Sequence, residues 1–550
     1  MKFLKTFLII ISITGFHLKS HAQVSMQWSS FYNGSSNNDD VPVAMVIDNA
    51  GNTYVTGLSR AVNMGDDYLT VKYNSAGVEQ WTARYHNPSG NDDRVRAITV
   101  DNSGNVYVTG AIGFGGANGI QVTIKYNSAG IEQWIRVFGE PVASPAAPGI
   151  YKSSIGTDAS GNIYIGGYRR FGSTDNGGML LIKYNSSGDS LWTRRYKGTQ
   201  FLQGLGSSIT CIKVVGNYIY VTGKTFDMNP NRIFATTIKY DSDGAVQWLS
   251  QDTMIYGSDD VIAMETDASG NVIVACNYGF DVMMLKYNSS GNLLWRKNYA
   301  GIGGNNYDRV TAMAIDASSN IYLTGNGVRA AGEDADYLTL KYDPNGNMLW
   351  ENFYNGNRNV DDYSKGIALD VAGNVYVTGL TFELPFNDNY MTIKYNTAGV
   401  EQWRINYDGG FNNRHDEAVA IGIDVNEDVI VTGFAYRQNT QDDFATLKYS
   451  QTIGITQTSS NVPEGYSLSQ NYPNPFNPAT VIEFSISNTE FVSLKIYDML
   501  GKEIAVPVNS TLSPGSYKYN FDASALSGGV YFYKLTAGDF SEVKKMSYVR

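Results

Sequence analysis

Eight tryptophans occur in the chain, and they fall once per repeat, at Trp28, Trp81, Trp134, Trp192, Trp248, Trp295, Trp350 and Trp403. The same words recur around them: D-x-x-G-N-x-Y-V-T-G, a variable stretch, then K-Y-[N/D]-x-x-G-x-x-x-W. A period of about 53 residues made of several short strands predicts a β-propeller of four-stranded blades.

The second repeat shows why each word becomes a strand. Residues 97–100 are apolar, and Asp101-Asn102-Ser103-Gly104-Asn105 follows as a turn in which Gly supplies positive φ and Asp or Asn bonds nearby backbone. Residues 106–110 (V-Y-V-T-G) form the second strand, 121–126 (Q-V-T-I-K-Y) the third, and 131–137, holding Trp134, the fourth. β-Branched and aromatic residues between Gly, Asn and Asp repeat this pattern along the chain.

The count of strands predicts how the ring closes. K-Y also occurs eight times, from Lys72-Tyr73 to Lys448-Tyr449, but no G-x-x-x-W strand follows Tyr449. The missing strand is at the other end, around Trp28, which has no preceding K-Y strand. The first mature strand is therefore expected to complete the last blade and remove an open edge. About eight blades is the reading, with seven plus an irregular remainder as the alternative. Repeat four departs from the pattern, with Val214-Val215-Gly216-Asn217 in place of the Asp turn.

Residues 1–22 read as a secretory signal peptide: Lys2 and Lys5, an apolar stretch over 7–16, then Ser20-His21-Ala22 at the cleavage positions. No later segment reaches the ~18–20 apolar residues of a transmembrane helix. The expected order is signal peptide 1–22, propeller 23–450, linker 451–465 and a small antiparallel β-sandwich over 466–550. Formal charge is −11 and pI about 5.0, with no cluster of Lys and Arg, which argues against nucleic acid as a partner. The two cysteines, Cys211 and Cys276, fall on different strands of neighbouring repeats and are expected as separately buried thiols, although export would permit a disulfide.

The repeat words resemble those of a bacterial secreted β-propeller repeat family named for seven blades, over about residues 24–450; eight repeats depart from that name. Residues 471–478 (N-Y-P-N-P-F-N-P), Tyr497-Asp498 with Gly501-Lys502, Phe521-Asp522, residues 529–533 (G-V-Y-F-Y) and Lys544-Lys545-Met546 are similar to the C-terminal sorting domain of type IX secretion cargo. That resemblance implies handling by the type IX machinery and passage to the outer cell surface or the medium.

Catalytic motifs are scarce. The mature chain holds two histidines, His86 and His415, and lacks H-E-x-x-H, C-x-x-C, G-x-S-x-G and a Walker-type loop. The tryptophan and the K-Y lysine recur in every repeat, so both are expected to pack blades together. Six repeats carry an aspartate eight positions before the turn: Asp40, Asp93, Asp259, Asp308, Asp362 and Asp416. Each is expected either to accept backbone hydrogen bonds in its own loop or to join a broken ring able to hold a cation, with calcium the one cofactor such oxygen ligands suggest.

The uniform turns share one face of each blade, and the variable loops share the other. Binding residues concentrate on variable loops held by rigid strands, which nominates Arg169, Arg170, Phe171, Phe226, Arg329, Phe386, His415, Tyr436 and Arg437. The expected function is a secreted or cell-surface binding or scaffold module for a glycan or protein ligand, without catalytic residues. The alternative is a hydrolase or lyase acting on extracellular polysaccharide at the loop face.

Overall fold

The structure is a computed structural model. It describes residues 24–550 apart from 35, 61–64, 88–91, 115–119, 139–153, 170–177, 197–206, 228–231, 255–258, 302–307, 330–332, 357–359, 383–387, 411–413, 439, 451–454, 460, 500, 524–525 and 550. The signal-peptide expectation for residues 1–22 lies outside the described residues. Two compact units divide the chain after Ser450. All described regular elements are strands, and no helix is long and apolar enough to cross a membrane.

Among the described residues, the first unit contains eight four-stranded antiparallel sheets. Blades 1 to 7 span residues 40–85, 92–138, 154–196, 208–254, 260–299, 309–354 and 363–407, each in simple up-and-down order. Blade 8 takes three strands from 417–450 and its outermost from Ser25–Tyr32. Trp28 pairs with Lys448 and Ser25 with Ser450, the closure expected from the offset counts. Each innermost strand packs on the next around the ring, and Glu417–Ile423 packs on Asp40–Ile47.

The motif residues explain the repeat. In blade 1, Asp48 Oδ1 accepts from Ala50 N and Asn52 N, both at 2.9 Å, while Oδ2 accepts from Asn52 Nδ2 at 2.8 Å and Tyr54 OH at 2.9 Å. One carboxylate thus shapes the turn and fixes the tyrosine beneath it. Gly51 adopts φ 76°, where a side chain is strained. Asp101, Asp158 and Asp316 repeat the arrangement. In blade 4, which lacks the Asp, Gly216 and Asn217 make a two-residue hairpin and Val215 pairs with Tyr218.

Blade-to-blade cohesion comes from the other two repeated residues. Trp81 Nε1 and Lys72 Nζ both donate to Ser128 O in the turn of the next blade, at 3.1 and 3.3 Å. The same lysine lies over the Tyr54 ring, 5.1 Å from its centroid, and Trp81 tilts against that ring at 6.1 Å. Equivalent indole bonds join Trp134 to Ser186, Trp192 to Ser242, Trp248 to Ser289, Trp295 to Pro344 and Trp350 to Thr397.

V-T-G has its own reason. A β-bulge falls opposite it in the innermost strand, between Pro42 and Ala44 in blade 1. A Cβ on Gly57 would lie 2.2 Å from Val41 O. In blade 5 Cys276 occupies that position, paired with Val261. Its thiol is buried in the same apolar cluster against which Cys211 packs, and Cys211 Sγ donates to Ile262 O at 3.4 Å. The thiols are free, as expected, with Cys276 buried and Cys211 partly buried, although adjacent blades bring their strands together.

The second unit is a two-sheet sandwich. One sheet runs Ile455–Ser459, Gly515–Asp522, Ala479–Ile486, Ser467–Leu468, and the other Glu503–Leu512, Glu490–Tyr497, Gly529–Ala537, Phe540–Tyr548. Between them are packed Ile482, Phe484, Val492, Leu494, Tyr533, Leu535 and Met546. One expectation is corrected. Ile455–Ser459, assigned to the linker 451–465, pairs with Gly515–Asp522, because alternating Ile, Thr, Gln and Thr suit an edge strand. Glu503–Leu512 is a further strand despite Pro507; it too is an edge, where proline is tolerated.

Candidate functional site

Antiparallel order puts the starts of the first and third strands of each blade on the face that carries the variable loops. The six repeated aspartates sit here, one per blade and buried. Asp362 Oδ1 accepts from Thr381 Oγ1 at 2.8 Å and Phe382 N at 3.0 Å, and its Oδ2 from Gly356 N at 2.5 Å. Asp416 accepts from Gly409 N at 2.6 Å and Tyr436 N at 2.8 Å. Asp40, Asp93, Asp259 and Asp308 take backbone N–H groups of Gly34, Asn87, Gly279 and Gly301. Asp308, Asp362 and Asp416 thereby tie the loop entering the blade to the loop crossing within it.

Asp93 also approaches Asp67 and His86, with one ligand atom from each within 4.8 Å of the others. His86 Nδ1 is 2.8 Å from Asp67 Oδ1, and Arg84 Nε donates to Asp67 Oδ2 at 2.8 Å. A guanidinium therefore already occupies the second oxygen of Asp67.

The loop candidates fare differently. Arg170, Phe171 and Phe386 lie outside the described residues, and Arg169 ends the strand Ile163–Arg169. Phe226 is corrected: the second strand runs on to Asp227 and pairs Phe226 with Ile233, leaving its ring 3% exposed and out of a ligand's reach. Arg329 is exposed and lies over Phe353 at 5.3 Å. Arg437 lies over Phe31 at 3.5 Å, and Arg414 over Tyr436 at 4.1 Å.

His415 is the centre of the densest polar cluster among these candidates. Its Nδ1 bonds Asp388 and its Nε2 lies 3.2 Å from Glu417 Oε2. Lys365 Nζ meets Glu417 Oε1 at 2.8 Å. The backbone enforces this meeting: Asp388 N donates to Arg414 O at 3.1 Å, and Asp416 N to Asp388 O at 2.9 Å. Hydrogen bonds to Asp388 and then Glu417 outweigh burial and push the imidazole up to about 10, so it is a cation at neutral pH. Glu417 is held below its ordinary range by His415 and Lys365 against the cost of burial. The sequence reading found His415 but missed Asp388, Glu417 and Lys365, which come from two blades. Asp388 recurs as Asp66 and Asp442 in blades 1 and 8, so the departure of His415 from the other repeats was the available signal.

An all-β propeller built from a secreted-type repeat, followed by a sandwich, is what these observations define. Residues 80–112 and 354–383 match the β-propeller repeat model, and residues 470–548 match the secretion system C-terminal sorting domain model. The chain thus carries β-propeller repeats and a C-terminal type IX sorting domain, which indicates secretion to the cell surface or the extracellular space.

No curated protein matches the chain. Among solved structures, PorZ of Porphyromonas gingivalis, an essential surface component of the type IX secretion system, is similar at 13% identity and TM-score 0.32, over 92% of this chain and 74% of that one. A PL25 ulvan lyase is similar at 11% identity and TM-score 0.39, over 76% and 95%. The propeller domain of the trilobed protease of Pyrococcus furiosus is similar at 6% identity and TM-score 0.33, over 61% and 90%.

Proposed function

We propose that this protein is a secreted binding module whose ligand, a glycan or a protein, is contacted on the variable-loop face of the propeller. One contrast carries the reading. The repeated Asp, Lys and Trp side chains are occupied in turns and blade seams, whereas departures from the repeat, His415 and Glu417 above all, gather on one face, where His415 meets Asp388. Protonated His415 suits electrostatic recognition rather than base catalysis, since a general base works best with a pKa near the operating pH. That consideration weighs against the hydrolase or lyase alternative.

A glycan array and a polysaccharide-degradation screen on the mature protein test both readings. Binding without degradation, weakened by Tyr436→Ala at unchanged melting temperature and by His415→Ala in a chain that still unfolds cooperatively, is the expected result. Degradation lost in His415→Ala would establish the enzyme instead.

A further inference from the structure

Between blades 5 and 6 the outer part of the seam is grooved. A groove of about 410 Å³ runs between the outer strands Leu293–Tyr299 and Met348–Tyr354, lined by Lys297, Asn298 and Tyr299 on one wall and Arg329, Glu351 and Phe353 on the other. Its volume falls in the roughly 300–1,000 Å³ range of small-ligand sites.

Comparison among repeats explains the opening. The residue after the outer-strand tryptophan is Arg296 in blade 5, Glu351 in blade 6 and Arg404 in blade 7; in the other five it is Ser, Thr, Ile or Leu. Arg296 spans its seam to Asp252 at 2.5 Å and lies over Tyr278 at 4.9 Å. Arg404 covers Tyr354 at 5.3 Å. At the seam between these two, the shorter Glu351 accepts from the Tyr299 hydroxyl at 3.2 Å, the one hydrogen bond of its side chain among the described residues.

Two residues after the tryptophan, the pattern breaks again. Ser30, Arg136, Arg194, Ser250 and Asn352 all donate to the glycine carbonyl of the next turn. Lys297 instead runs its stem past Gly346, where an added Cβ would lie 3.0 Å from Lys297 Cε. Among the described residues the Lys297 ammonium has no hydrogen-bond partner, and neither it nor the Arg329 guanidinium forms an ion pair. Arg84 of blade 1, by contrast, is held by Asp67. Lys297 and Arg329, the latter over Phe353 and near enough to Asp336 to lower its carboxyl, thus bring two cations to one groove on a chain of net charge −11.

We infer that this groove binds an acidic oligosaccharide, its successive carboxylates or sulfates met by Lys297 and by Arg329 and its hydroxyls by Glu351 and Asn298. The mixed polar set distinguishes this ligand from an acidic peptide. A carboxylate acceptor on the wall repels a run of acidic side chains, whereas a charged pyranose brings hydroxyl donors beside its anionic group. Tyr299 and Phe353 supply apolar walls against which a sugar face can rest. The inference deepens the binding-module reading and rests on it.

Calorimetric titration of the full chain with oligogalacturonate and with a sulfated oligosaccharide tests the assignment. Neutral cello-oligosaccharide and tetraglutamate serve as controls. Binding of at least one anionic saccharide is expected, weakening as salt rises. Arg329→Ala and Lys297→Met should each reduce affinity tenfold or more, with the melting temperature unchanged. Unaltered affinity in both variants, equal binding of tetraglutamate or the cello-oligosaccharide, or no binding of either anionic saccharide would overturn the groove. Array hits unaffected by these two variants would overturn the groove alone. A blank array together with silent titrations would overturn the binding-module reading as well.

Discussion

A single aspartate organises each repeat's first turn, and its removal should be felt beyond the turn. Asp101→Ala deletes the acceptor for Asn105 Nδ2 and Tyr107 OH, at 2.8 and 2.9 Å, and for two backbone N–H groups. Hydrogen bonds to a charged group contribute about 1.5–3 kcal/mol each, and part is recovered from water at this partly exposed site, so a net loss of about 2–3 kcal/mol is expected in urea unfolding. Asp336 works in the opposite direction. Burial first, then Asp362, pushes its carboxyl up to about 7, with Arg329 lowering it and Glu333 and Asp334 raising it further. The folded form therefore holds this proton more tightly than the unfolded chain. The contribution to stability is complete below about pH 4 and lost as pH rises through about 7. Asp336→Asn should accordingly raise the melting temperature at pH 8 by roughly 2 °C and leave it unchanged at pH 4; a rise at both pH values would point to packing instead. Repetition made the turn aspartates legible in the sequence. Asp336 was invisible because its environment is assembled from two blades.

At the scale of elements, the strands were readable wherever periodicity and turn chemistry agreed. Val106–Phe114 nevertheless runs four residues past the V-T-G word, since only cross-strand pairing decides where a strand stops. The same continuation removed Phe226 from the loop candidates. Ile455–Ser459 escaped notice because its partner lies some sixty residues downstream, at Tyr517 and Tyr519. The closing strand, in contrast, was predictable from two counts offset by one. Its indole donates to Ser75 O at 3.1 Å, and Ser30 Oγ donates to Gly77 O at 2.5 Å. Trp28→Ala should cost about 3–5 kcal/mol if the indole behaves as a packed aromatic, and deletion of residues 24–32 should expose the Gln441–Ser450 edge. Thioflavin-type fibril assays and light scattering should then report association of the deleted chain and none of the parent.

On the whole molecule, the sorting domain and the propeller have separate cores, so the cut between them decides what a truncation means. Ending the chain at Ser450 should leave a cooperative propeller that is retained inside the native host. Ending it at Gly465 should add an orphan strand, Ile455–Ser459, and lower solubility without restoring delivery. Surface labelling and sedimentation distinguish these outcomes, and surface delivery of either truncation would refute the address function of residues 466–550. The architecture could be read from repeated words and the export route from the C-terminal motifs; the polar cluster at His415 and the groove at Lys297 could not, because each depends on which blades become neighbours. The ring closure has one more consequence. Ser25 faces Ser450 at the adjoining ends of two antiparallel strands. Tension applied between those two residues therefore unzips the seam one hydrogen bond at a time instead of shearing the whole ladder at once. Under an optical trap the propeller should yield at low force from these handles, and at markedly higher force when pulled through Tyr32 and Ser450.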